Sequence, residues 1–105
     1  MPNPEQLQLD HTPAIIKFID GEEHLVPHQF LNDQGWLFVI GWAGTRRRYP
    51  PQRIAHVEIV ETERRKDDDG RAWKVLDDDE LMHEAKLAAG AESEPAIFAD
   101  GSGQA

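Results

Sequence analysis

The sequence predicts a mainly β protein: a small antiparallel barrel of about five strands with an extra hairpin, one C-terminal α-helix and disordered ends. Residues 35–42, GWLFVIGW, are the one stretch that is apolar on both alternating faces of an extended strand. Short β-branched and aromatic runs flank it, separated by turns rich in glycine and proline. Because a strand that is apolar on both faces needs cover on both, we expect a closed barrel with a lid.

Size and composition exclude several classes of protein. At 105 residues the chain is long enough for one domain with a modest core. It has no cysteine, which excludes disulfides and thiolate metal sites. No basic and apolar leader opens it, and no apolar run approaches the length of a membrane span. These features predict a cytoplasmic protein that makes no contact with membranes.

The first strands are predicted from a change of composition at Ala14. Residues 1–13 contain three prolines and few large side chains, which predicts a flexible arm. Residues 14–20, AIIKFID, form a strand-like run that leads into Asp20-Gly21, a dipeptide typical of tight hairpin turns. The second arm of this hairpin is expected over residues 22–30. It contains Pro27, which cannot donate to a ladder and so places the arm at an edge or ends it early.

The strands after the apolar stretch complete the predicted barrel. Residues 43–45 predict a short turn, after which residues 46–49 return antiparallel to the apolar strand. The prolines at 50 and 51 predict one tight helical turn, and residues 54–61 predict another strand. Over residues 14–61 this order of strands and turns resembles the small barrels of the SH3-like and Sm-like families. The resemblance is one of architecture: it implies the five-stranded barrel and carries over no ligand.

A hairpin and a helix are predicted beyond the barrel. Residues 62–66 are polar and charged, residues 67–70 predict a turn, and residues 71–76 carry Trp73 and Val75 in alternation, so the barrel and its hairpin extension are expected to span residues 14–76. Acidic residues at 77–80 suit the start of a helix. Its apolar stripe consists of Leu81, Met82, Ala85, Ala88 and Ala89, with Gly90 as the expected end. We predict a helix over 77–90 that docks on the open face of the apolar strand.

The sequence beyond the helix predicts a disordered acidic tail over residues 91–105. Ile97 and Phe98 are its large apolar residues, either a short linear motif or part of a frayed end.

Few residues indicate catalysis or metal binding. The chain has no glycine-rich phosphate loop, no GxSxG elbow and no HExxH motif. His24 and His28 lie in a predicted strand, where a spacing of four residues separates them by about 13 Å. The aspartate triplets at 67–69 and 77–79 fall at a turn and at a helix start, where acids are expected for structural reasons. We therefore predict no enzyme activity, no cofactor and no metal; a metal-dependent hydrolase is the remaining enzymatic alternative.

A basic segment contains the candidate binding site. Nine of the 11 lysines and arginines lie between residues 43 and 74, within a chain of net charge −9. Arginine forks bind carboxylates and phosphates, and neighbouring aromatic rings can stack on a ligand. In a strand, Arg46 and Arg48 share one face, while Arg47 and Tyr49 share the other. The predicted partner-binding residues are Trp42, Arg46, Arg47, Arg48, Tyr49 and Arg53.

Three interpretations of these arginines remain open. They can protect an edge strand by pairing internally with Glu58, Glu61 or Glu63. They can bind an acidic protein partner, including the chain's own acidic tail or a second copy, or they can bind nucleic acid. We predict a non-enzymatic protein-binding or assembly module with an accessory or regulatory role, with homodimerisation and nucleic-acid binding through Arg46–Arg48 and Arg53 as the alternatives. Because three tryptophans are many for so small a core, one is expected to be exposed at the interface.

Overall fold

The structure is a computed structural model that describes residues 2–93. Within these residues the chain forms eight strands in three antiparallel sheets and one α-helix, which confirms the mainly β prediction. The strands are β1 (Ala14–Phe18), β2 (Glu23–Val26), β3 (His28–Leu31), β4 (Leu37–Ile40), β5 (Arg46–Tyr49), β6 (Ile54–Ile59), β7 (Thr62–Lys66) and β8 (Ala72–Leu76), and the helix is α1 (Asp79–Ser93). The sheets have the orders β2-β1-β6, β3-β4-β5 and β7-β8, and no closed barrel is detected in this part of the chain.

The first hairpin turns where the sequence predicts. Gly21 adopts a φ of 95°, and the Phe18 N–H donates to the Glu22 carbonyl at 2.8 Å. The predicted second arm is divided, because Pro27 separates β2 from β3 and the two strands belong to different sheets. Each of them is an edge strand of its sheet, as expected for strands next to a residue that cannot donate to a ladder.

β4 is the middle strand of the sheet β3-β4-β5, and one of its faces packs in the first hydrophobic core. Leu37 and Val39 are buried there against three residues of β1 and against Val26 of β2. The opposite face is open, since Phe38 is 36% exposed. The prediction that both faces of this strand are covered is therefore wrong, and with it the physical requirement for a closed barrel.

The helix packs in a second core, away from the open face of β4. Trp42, Leu7 and Ala85 are fully buried in this core, and the predicted apolar stripe of the helix packs against it. The main contacts of α1 are with β2 and β8, which corrects the predicted docking on β4. The helix packs in the second core because Trp42, which follows β4 and lies outside the sheet, has a large apolar surface that the helix buries.

The boundaries of the helix differ from the prediction at both ends. It begins at Asp79 because the preceding Asp78 caps it, with Oδ1 accepting from the N–H groups of Glu80 and Leu81 at 2.8 and 3.1 Å. It continues through Gly90, the expected end, to Ser93. A glycine inside a helix costs only about 1 kcal/mol, and flanking alanines favour helix. Within residues 2–93 no helix is long and apolar enough to cross a membrane.

The N-terminal segment is packed against the domain, in contrast to the flexible arm expected over residues 1–13. Leu7 and Lys74 exchange two backbone hydrogen bonds of 2.9 Å, and the Leu7 side chain is fully buried. Pro13 is also buried, and its carbonyl accepts from the Val60 N–H at 3.0 Å. Proline lacks an N–H donor, but the hydrogen bond to the Pro13 carbonyl, the two backbone bonds of Leu7 and the burial of its side chain hold the segment in place.

The hairpin β7-β8 turns at residues 67–70, as predicted. The Asp67 Oδ1 accepts from the N–H groups of Asp69 and Arg71, both at 3.0 Å, and Gly70 takes a φ of 85°. Strand β6 and the single turn of 3-10 helix at Pro51–Arg53 also follow the prediction.

Candidate binding surface

The open side of the sheet β3-β4-β5 carries a groove with a volume of about 610 Å³, here called the outer-face groove. The groove is lined by His28, Phe30, Phe38, Val39, Ile40, Arg46, Arg47 and Arg48. Two rows of the ladder account for most of this lining. Phe38 lies between Phe30 and Arg48, and Ile40 lies between His28 and Arg46. The strand alternation therefore places an apolar floor beside a basic rim.

The floor of the groove consists mainly of two exposed phenylalanines. The ring centroids of Phe30 and Phe38 are 6.3 Å apart, and the side chains are 58% and 36% exposed. Complete burial of a phenylalanine stabilises a protein by roughly 1.5–3 kcal/mol. A partner that buried these two neighbouring rings would therefore gain binding free energy from their removal from water. Contiguous apolar surface of this kind is typical of interaction sites.

The basic rim comes from β5, whose arginines have no acidic partner within residues 2–93. The ion pairs described there join other residues, such as Glu63 with Arg65 at 2.6 Å and Glu5 with Lys86 at 3.2 Å. Glu58 lies 3.9 Å from His56, and its strand β6 pairs with β1, so it is not next to β5. Internal pairing of the arginines with Glu58, Glu61 or Glu63 is therefore absent from the described residues.

A smaller hollow of about 210 Å³ extends the groove towards Trp36. It shares Phe38 and Arg48 with the groove and is also lined by Asn32 and Gln34. Trp36 is 39% exposed, and its backbone N–H donates to the Asn32 Oδ1 at 3.0 Å. Trp36 is thus the exposed tryptophan that the composition led us to expect, and a hydrogen-bonded loop positions it.

Three of the predicted contact residues lie away from this face. Trp42 is fully buried, and its Nε1 donates to the Leu25 carbonyl at 2.9 Å, so its ring is not accessible to a partner. Tyr49 faces the first core, where it meets Phe18 edge-on at 4.9 Å. The Arg53 guanidinium lies over the rings of Phe18 and Tyr49, at 5.6 and 5.9 Å from their centroids. The structure therefore brings Arg46, Arg47 and Arg48 together in one groove but not Trp42, Tyr49 and Arg53.

The apolar floor was missed from the sequence, although part of its signal is visible there. The alternation of Trp36, Phe38 and Ile40 places them on one face, but the expectation of a lid assigned that face to the interior. Phe30 is not predicted, because the sequence pattern of residues 22–30 indicates a single strand. Pro27 divides this segment, and the division places Phe30 beside Phe38.

Two histidines connect the edge of the groove to the N-terminal segment. The His28 Nδ1 accepts from the Thr12 N–H at 2.9 Å, and its ring stacks on that of His11 with centroids 4.9 Å apart. The His11 Nδ1 is buried without a hydrogen-bond partner. Burial, and secondarily His28 and Lys74, lower the pKa of His11 below its ordinary value of 6.5, while Asp10 opposes the shift. The stacked pair therefore favours the neutral form of His11.

The acidic residues of the sequence form no metal-binding cluster within residues 2–93. Asp67 and Asp78 use their carboxylates in a turn and a helix cap, in line with the structural roles expected for the two aspartate triplets. His24 and His28 belong to strands of different sheets.

Comparisons of this chain with protein-family models, with curated proteins and with solved structures found no match. The function proposed below therefore depends on the chemistry of the outer-face groove.

Proposed function

We propose that the chain is a non-enzymatic binding module that holds a protein segment of mixed acidic and apolar character in the outer-face groove. The observation that supports this most directly is the row Phe30–Phe38–Arg48, in which exposed aromatic rings lie beside an arginine without an acidic partner among the described residues. Such a surface offers both an apolar area for a partner's side chain and a positive group for its carboxylate.

Each part of the groove has a separate role in this proposal. The phenylalanine floor provides affinity, because a partner's apolar side chain removes it from water. The guanidinium groups of Arg46 and Arg48 provide selectivity, because they form paired hydrogen bonds with carboxylates. The net charge of −9 repels acidic partners at a distance, but this field is screened beyond about 8 Å at physiological salt. Recognition of an acidic segment therefore depends on short-range contact with the arginines.

Binding of single-stranded nucleic acid is the second candidate. Bases stack on exposed aromatic rings, and Phe30, Phe38 and Trp36 offer such rings next to phosphate-binding arginines. The negative charge of the chain opposes this alternative, since most nucleic-acid affinity comes from neutralised phosphates. We therefore place it second.

We also propose that the two three-stranded sheets are an open variant of the small-barrel architecture of SH3-like and Sm-like domains. The pairing of β1 with both β2 and β6, and the consecutive order β3-β4-β5, support this. We further propose an accessory role in the cytoplasm, which the absence of cysteine favours.

The proposal is tested by titrating the protein with a synthetic peptide of alternating leucine and glutamate and measuring the intrinsic tryptophan fluorescence, to which Trp36 contributes from the edge of the groove. A peptide with lysine in place of glutamate and a single-stranded oligonucleotide are titrated in parallel. We expect the acidic peptide to bind, and the double variant R46S/R48S to weaken binding about tenfold or more. The matched control R64S/R71S removes two exposed arginines from the hairpin β7-β8 and is expected to bind normally.

Two outcomes contradict the proposal. Equal affinity for the acidic and basic peptides would mean that the arginines do not select the ligand. Tight oligonucleotide binding that is lost in R46S/R48S, without peptide binding, would favour the second candidate.

A further inference from the structure

We infer that the outer-face groove has an internal competitor: residues 94–100 of the same chain, EPAIFAD, dock in it whenever no partner is bound. The inference rests on the proposed function, because tail and partner would use the same floor and the same arginines. It adds a regulatory contact, since a partner must displace the tail before it can bind.

The chemistry of the segment matches that of the groove. Residues 94–100 lie outside the described residues, and their sequence places the apolar pair Ile97-Phe98 between Glu94 and Asp100. An apolar pair flanked by carboxylates is the ligand type that a phenylalanine floor with an arginine rim selects. The segment contains no lysine or arginine that would oppose docking.

The end of the helix lies beside the turn at one end of the groove. Near the end of α1, the Glu92 Oε1 accepts from the Ala43 N–H at 3.3 Å. The same oxygen lies against Gly41, where a Cβ would be only 2.8 Å away, so a side chain at this position would displace it. Residues 41–45 form the turn between β4 and β5, closed by the Gly41 N–H donating to the Thr45 carbonyl at 2.8 Å. The helix terminus is therefore held beside the turn that connects Ile40 to Arg46, two residues of the groove.

The distances allow docking within one molecule. An extended chain covers roughly 3.3–3.6 Å per residue, so Ile97 and Phe98 reach about 13–18 Å beyond Ser93. Along β4, Phe38 lies three residues before Gly41, which corresponds to about 10 Å. The apolar pair can thus reach the phenylalanine floor from the end of the helix.

A contact within the chain needs little intrinsic affinity. A short tether gives an effective concentration of about 1 mM, so an intrinsic Kd of about 0.1 mM would fill the groove roughly 90% of the time. A partner would then bind about tenfold more weakly than to an open groove.

A second copy of the chain is a less suitable occupant. A symmetric contact through this face would place the arginines of both copies in one interface, and the groove lining offers no acidic residue to pair with them. Such like-charge contacts disfavour association.

The inference is tested on the full chain by comparing the amide NMR spectra of the wild type and I97S/F98S. The control A96S/A99S changes the same segment without removing its large apolar side chains. We expect I97S/F98S to shift the amides of Phe38, Ile40, Arg46 and Arg48 independently of protein concentration. Shifts confined to residues near the substitutions would overturn the inference, and so would groove shifts that disappear on dilution, which indicate a second copy.

Titration with the leucine–glutamate peptide separates the inference from the proposed function. We expect the peptide to bind I97S/F98S about tenfold more tightly than it binds the wild type or A96S/A99S. Equal affinity for all three proteins, still lost in R46S/R48S, would refute tail docking and leave the proposed function intact. No peptide binding to any of them, together with the expected groove shifts, would leave tail docking standing and refute the proposed function.

Discussion

Phe38 and Arg48 lie directly opposite each other in the β4-β5 ladder, on the exposed side of the sheet. On the other side of the same strand, Leu37 and Val39 are buried in the first core. Strand β4 therefore separates two roles at successive residues: one face stabilises the fold, and the other is available for binding. This separation makes the proposals testable, because substitutions on the two faces should affect different measurements.

Residues on the two faces of β4 should differ in their contribution to stability. We expect L37A to lower the free energy of unfolding by about 2–5 kcal/mol, because it leaves a cavity in the first core. F38S removes a partly exposed ring and should cost much less while abolishing peptide binding. Urea unfolding of both variants measures the difference. A loss in F38S as large as that in L37A would mean that Phe38 packs in a core and does not lie on an open face.

The arginines of β5 should be nearly neutral for folding. They form no ion pair within residues 2–93, and weaker docking of the tail removes only part of its small contribution, so R46S/R48S is expected to lower the free energy of unfolding by no more than about 1 kcal/mol. Urea unfolding of this variant and of R64S/R71S gives the comparison. A loss of several kilocalories per mole in R46S/R48S alone would show that these arginines take part in structural ion pairs.

Trp42 should be required for stability and Trp36 should not. W42F keeps an aromatic ring but leaves the Leu25 carbonyl without its 2.9 Å donor, which costs about 1–3 kcal/mol. W36F changes a side chain at the surface and should remain within about 0.5 kcal/mol of the wild type. Thermal unfolding distinguishes the two variants, and a destabilised W36F with a normal W42F would reverse the assignment of their roles.

The N-terminal segment should contribute measurably to the fold. We expect L7A to destabilise the protein by about 2–5 kcal/mol, because the Leu7 side chain is fully buried in the second core. The nearby L9A removes an exposed side chain and is the matched control. If both variants unfold like the wild type, the segment behaves as the free arm that its composition suggests.

The stability of the protein should depend on pH through His11. Its pKa is lowered in the folded state, so between the folded value and the ordinary value of 6.5 the unfolded chain binds more protons. The free energy of unfolding should therefore rise with pH in this window and fall as the pH drops below 6.5. Burial of the ring is the main cause of the lowered pKa, with smaller contributions from His28, Asp10 and Lys74. H11Q should flatten this part of the profile measured by urea unfolding, and an unchanged slope would assign it to other groups.

The fold could be predicted from the sequence wherever a turn residue fixes the local conformation. Gly21 and Gly70, with positive φ, and the prolines at 50 and 51 lie where the sequence places turns, and the strands between them follow. Packing between distant residues could not be predicted in this way. Leu7 is the example: nothing near it in the sequence indicates pairing with Lys74, so composition alone suggested a flexible arm.

The binding surface was predictable only in part for a similar reason. Alternation correctly grouped Arg46 with Arg48 and separated them from Tyr49. It could not say which face of a doubly apolar strand meets the core. That choice depends on Trp42, which leaves the sheet and donates a hydrogen bond to β2. The helix packs on Trp42 in the second core, and within residues 2–93 no element covers the outer face.

The second core has a consequence for the order in which the chain acquires its structure during synthesis. Residues of the first core lie between Ala14 and Val57, so all of them have left the ribosome early, whereas the second core joins Leu7 to Ala85. The second core is therefore complete only after Ala85, almost eighty residues beyond Leu7, has emerged. Until the helix has been synthesised, the nascent chain would be a partly folded domain. Its apolar N-terminal segment could be bound by chaperones or cut by proteases.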